Sequence, residues 1–66
     1  MNKELELQAL KRLRINFEQK YINAKSVGNI DIAFAYKDVQ IEISKEIDLI
    51  LKEQLEEINF KINKLL

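Results

Sequence analysis

Apolar residues recur along the first part of the chain at helical intervals. Leu10, Leu13, Phe17, Tyr21 and Ala24 follow 3-4-4-3 spacing, with Leu5 and Ala9 extending the same face upstream. That pattern predicts one side of an α-helix. A second stripe follows at Ile32, Tyr36, Val39, Ile43, Ile47 and Ile50, then shifts by one residue to Leu51, Leu55, Ile58, Ile62 and Leu65. Between the two stands Gly28, the only glycine in a chain without proline. The pattern therefore predicts an all-α hairpin, one domain over 1–66. Its parts are a helix over about 3–26, a turn over about 27–30 and a helix over about 31–66.

Local signals place the helix ends. Asn2 is a natural N-cap, with Glu4 and Glu6 near the positive end of the first helix dipole. Lys25 falls in the last turn, and Gly28 suits the C′ position because it takes positive φ without a Cβ clash. Asn29 is then placed to cap the second helix, with Asp31 in its first turn. A competing pattern exists, since Ile30, Ile32, Phe34 and Tyr36 alternate, as do Val39, Ile41 and Ile43. Alternation of that kind suits a β-hairpin. Lys37-Asp38 is a poor two-residue turn, however, and Ala33 and Ala35 favour helix, so the helical reading is preferred.

The two helices are unequal. At ~1.5 Å per residue the second reaches about 54 Å and the first about 36 Å. In an antiparallel hairpin the first pairs with about residues 31–54, so Leu55, Ile58, Phe60, Ile62, Leu65 and Leu66 project beyond it. Further apolar residues lie off the main stripes: Leu7, Ile15, Ile22, Ile41, Leu49 and Phe60. A core this small is marginal alone, and with no Cys and no His neither disulfides nor a usual metal site supports it. The expectation is a homo-oligomer or a protein partner, with two hairpins forming a four-helix bundle or a coiled coil.

Charge alters the picture modestly. Lys and Arg together equal Asp and Glu at 11 each, for a net charge of zero, which argues against nucleic acid as the main partner. Six basic residues (Lys3, Lys11, Arg12, Arg14, Lys20, Lys25) outnumber Glu4, Glu6 and Glu18 before the turn, while acids predominate after it. Pairing of Lys11, Arg12 and Arg14 with Asp38, Glu42 and Glu46 across the hairpin, or plain solvation, is the expected use of that split, ahead of a docking patch for an acidic partner. Exposed pairs of this kind help register more than stability. No apolar run is long enough for a membrane span and the start is unlike a signal peptide, so a cytoplasmic protein without membrane contact is expected.

Catalytic inventory is thin. Without His or Cys there is no common base near neutral pH and no thiolate nucleophile. There is no Gly-rich phosphate loop. Asp38, Glu42 and Glu46 repeat one turn apart, which marks a solvated face rather than a divalent-cation site. No cofactor and no metal are expected.

The run Ser44-Lys45-Glu46-Ile47-Asp48, after alternating apolar residues from Ile41, resembles the signature of small aspartyl-phosphate phosphatases that act on a sporulation response regulator. Members of that bacterial family are two-helix hairpins carrying Ser-Gln-Glu-Leu-Asp on the second helix. Ser44, Glu46 and Asp48 match, and Leu10, Lys11, Arg12 and the turn at Gly28 fit the general plan over roughly residues 9–52. Lys45 stands where the family has Gln, and the interval from Gly28 to Ser44 is longer than usual. The resemblance implies that Ser44, Glu46 and Asp48 contact a receiver domain, with Asp48 contributing to phosphate release.

Two functional expectations follow. The first is a small non-enzymatic regulatory or interaction module that self-associates or binds a helical partner through residues 55–66. The alternative is a phosphatase of aspartyl-phosphate on a receiver domain. A small antitoxin, immunity protein or phage-encoded inhibitor shares this size and charge, but no residue selects its target.

Overall fold

The Asn2 side chain closes the first turn of α1 (Lys3–Ser26): its Oδ1 accepts from the backbone N–H of Glu4 at 3.0 Å and of Leu5 at 3.4 Å. These are donors that a helix start otherwise leaves unpaired. At the other end, Asn29 N–H donates to Ala24 C=O (2.9 Å) and Gly28 N–H to Lys25 C=O (3.1 Å). Gly28 adopts φ 79°, so the link is a Schellman motif with glycine in the left-handed position. Asn29 occupies the N-cap of α2 (Ile30–Leu65), its C=O accepting from Ala33 N–H at 3.0 Å. The computed structural model describes residues 2–65, and among them there is no strand. The segment whose alternation suggested a β-hairpin is continuous helix, starting at Ile30 rather than 31.

The two helices pack against each other as an antiparallel hairpin, a rod 57 Å long. Contacts along the interface fix the register: Phe17 meets Tyr36 at 5.9 Å between ring centroids, and at the open end Lys3 pairs with Glu53 at 3.3 Å. Leu7, Ile43, Ile47 and Ile50 form the buried cluster, with Leu10 and Phe17 packed against it. Ala24 and Ala33 are buried nearest the turn, where the three-residue link leaves room only for small side chains.

The seam keeps Leu10, Phe17, Tyr21, Ala24, Tyr36, Ile43, Ile47 and Ile50 of the predicted stripes and departs from them elsewhere. In α1 it runs Leu7, Leu10, Arg14, Phe17, Tyr21, Ala24, and in α2 it runs Ala33, Tyr36, Gln40, Ile43, Ile47, Ile50. Leu5, Ala9 and Leu13 are exposed, and so are Ile32 and Val39, whereas Leu7, read from sequence as off the stripe, is buried. The reason is geometric. Two helices in contact share a narrow seam that alternates strictly between three and four residues. Two successive steps of four, as at Leu13-Phe17-Tyr21, walk out of it.

Polar residues fill two seam positions. Arg14 lays its stem along the contact and donates from Nη1 to Ser44 Oγ at 3.4 Å. Gln40 has its Oε1 buried without a hydrogen-bond partner among the described residues. A buried acceptor left unpaired costs about 1–3 kcal/mol. Gln40→Leu is therefore expected to stabilise the hairpin by roughly 1–2 kcal/mol, read as a rise in thermal midpoint.

Candidate interaction surface

The seam changes character where α1 ends. Continued past Ile50 at the same alternation, its positions are Gln54, Glu57, Lys61 and Lys64. None of these is a residue that a packed helix would bury at low cost. The apolar residues move to Leu51, Leu55, Ile58, Ile62 and Leu65, one residue further on, which is a rotation of roughly 100° about the helix axis. Lys3–Glu53 is the outermost interhelical ion pair, so residues 55–65 overhang α1 by roughly 16 Å at ~1.5 Å per residue.

On this overhang Leu55, Ile58, Ile62 and Leu65 follow 3-4-3 spacing and share one face. All four are exposed, Ile58 by 54% and Leu65 by 87%. Phe60 is exposed too, but two residues from Ile58 and Ile62 it points to the opposite side, where Lys64 Nζ lies 5.4 Å from its ring centroid. It does not belong to the apolar face with which the sequence grouped it. Leu66, the sixth residue expected there, lies outside the described residues.

Traced back over the hairpin, the overhang's face passes Leu51, Asp48, Ser44 and Ile41. Ser44 and Asp48 interrupt it, so the continuous apolar patch is confined to the end of α2. These two residues are one turn apart on the same side, with Arg14 at Ser44. Glu46 lies on the opposite flank, lining a shallow groove of about 330 Å³ with Leu10, Asp38, Val39, Glu42 and Ile43. The structure thus brings Ser44 and Asp48 together and leaves Glu46 apart.

The expected ion pairs between helices form differently. Among the described residues the salt bridges are Lys3–Glu53 and Lys45–Glu42, the latter within α2 at 3.2 Å. Arg14 makes none with Asp38, Glu42 or Glu46 because it sits in the seam and turns to Ser44, and Lys11 and Arg12 are exposed and make none with them either. Lysines instead cover aromatic faces. Lys20 lies over Phe17 at 5.0 Å and Tyr36 at 5.8 Å, and Lys25 and Lys37 lie over Tyr21 at 5.7 and 5.4 Å.

No group of three or more acidic residues among those described could hold a metal ion. No helix of the described residues is long and apolar enough to cross a membrane. Comparison of the chain with protein families, curated proteins and solved structures gives no match.

Proposed function

We propose that the protein is a non-enzymatic interaction module that associates with itself through the end of α2. One observation carries this reading: a helix that outruns its hairpin partner while its seam turns polar and its apolar face turns outward. A lone helix of this length, with Leu55, Ile58, Ile62 and Leu65 in water, draws little stability from the hairpin. A further helix covering that face supplies the missing burial, at about 25 cal/mol per Å² of apolar surface removed from water.

Sedimentation velocity tests the reading. The full chain is expected to show a mass that rises with concentration, and a chain ending at Gln54 is expected to stay monomeric with its hairpin intact by circular dichroism. A full chain that remains strictly monomeric at high micromolar concentration overturns the proposal.

The receiver-domain phosphatase reading draws support from one juxtaposition, Arg14 on Ser44 with Asp48 a turn away. A guanidinium beside a hydroxyl and a carboxylate suits a phosphoryl group and its attacking water. The assay is loss of label from a phosphorylated receiver domain, with wild type and Asp48→Ala. Equal rates with and without the protein end this reading.

A further inference from the structure

We infer that the partner of the α2 overhang is the same overhang of a second copy, running antiparallel. This rests on the self-association proposed above and specifies its geometry.

The location follows from what bounds the patch. On the hairpin side Asp48 and Ser44 break the stripe, and around the helix the seam positions Glu57, Lys61 and Lys64 are charged. A third helix lying along the whole hairpin would have to bury Asp48. One that meets only residues 55–65 buries none of these groups. The overhang is also the part of α2 that α1 leaves open, so a second helix reaches it without displacing α1.

The orientation follows from charge. Glu56 and Glu57 lie in the first half of the overhang, and Lys61 and Lys64 in the second. Parallel pairing sets the acidic half of one overhang level with the acidic half of the other, and basic half with basic half. Antiparallel pairing about an axis between Ile58 and Ile62 opposes Leu55 to Leu65 of the second copy and Ile58 to its Ile62, so every layer is apolar. In that register Glu57 comes level with the Lys61–Lys64 stretch of the second copy, and Glu57 and Lys61 flank the stripe on the same side. The pattern is therefore complementary to itself only when reversed. A net charge of zero leaves no long-range repulsion to oppose the encounter.

Four anchors per copy make a small contact, well below the roughly 1,600 Å² of a standard interface. Association is expected in the micromolar range or weaker, and to loosen with salt as the flanking charges are screened.

The chain has no cysteine, so single thiols report the arrangement directly. Leu55→Cys and Leu65→Cys are made separately, checked for helicity, and oxidised alone and as an equimolar mixture. Thiols must come within disulfide reach to couple, so the mixed 55–65 product is expected to form about tenfold faster than either homodimer. Homodimers from each variant alone, with no enrichment of the mixed product, overturn the antiparallel arrangement in favour of a parallel one. Slow coupling throughout, with sedimentation still showing a dimer, overturns pairing through the overhang and leaves self-association standing. A monomer by sedimentation at every concentration overturns both.

Discussion

Replacing Ile47 with aspartate is expected to unfold the hairpin. Ile47 is 2% exposed and lies in the buried cluster with Leu7, Ile43 and Ile50. Removing a buried branched side chain costs about 2–5 kcal/mol through lost transfer energy and the void left behind. The carboxylate then adds its own desolvation cost, and no cation is seated at that position to offset it. A single core in a chain of this size rarely supplies more than about 3–5 kcal/mol in total. The substitution removes as much as the fold has. Circular dichroism is expected to show most of the helical signal lost at room temperature and no cooperative melt. Asp38→Ala is the control: Asp38 is exposed and makes no ion pair among the described residues, so its loss is expected to change stability by less than about 1 kcal/mol. If Ile47→Asp melted like wild type, the seam assigned to α2 would be wrong.

That seam shows how far the sequence can be read. Both helices and the turn were legible because their signals are local: Asn2 before the first apolar residues, one glycine, no proline, and uninterrupted helical spacing on either side. The seam was legible in part: Leu10, Phe17, Tyr21, Ala24, Tyr36, Ile43, Ile47 and Ile50 lie both on the apolar stripes and on the line of contact, whereas Leu7, Arg14, Ala33 and Gln40 do not stand out. Leu13, Ile32 and Val39 are as apolar as the residues that are buried, and each lies one position from the true line of contact. Only the partner helix decides between neighbours, and it selects a strict alternation that admits Arg14 and Gln40. A search for apolar positions passes over both. Ala33 gives no such signal for a related reason, since it is buried beside the short link without hydrophobic bulk.

The candidate surface was legible in part. The one-residue shift at Leu51 is visible in the letters, and the structure gives it meaning by turning the old seam into Gln54, Glu57, Lys61 and Lys64. Phe60 is as apolar as the residues of that surface, but its angle about the helix axis puts it on the other side. The same arithmetic separates Glu46 from Ser44 and Asp48, since residues two apart on a helix face away from each other. A motif written in consecutive letters does not become a cluster on a helix unless its members are three or four apart.

Angle also sets the sharpest test of the surface. Ile58→Asp is expected to abolish self-association, whereas Phe60→Asp, two residues away and similarly exposed, is expected to leave it nearly unchanged. Both side chains are in water in the single hairpin, so neither substitution removes anything from its core. In the antiparallel pair, however, each Ile58 meets Ile62 of the other copy. Losing its burial costs about 1.5–3 kcal/mol per copy, and each new carboxylate must be desolvated as well. Two such sites per dimer weaken association by more than about 100-fold, at 1.4 kcal/mol per factor of ten. Phe60 faces away beside Lys64, and an aspartate there exchanges a ring–cation contact for an ion pair on the helix surface. Analytical ultracentrifugation of the two variants at matched concentration separates the outcomes. Equal weakening by both would mean that the patch acts through general hydrophobicity, without the one-sided face that the 3-4-3 spacing defines. Loss with Phe60→Asp alone would move the contact to the opposite side of α2.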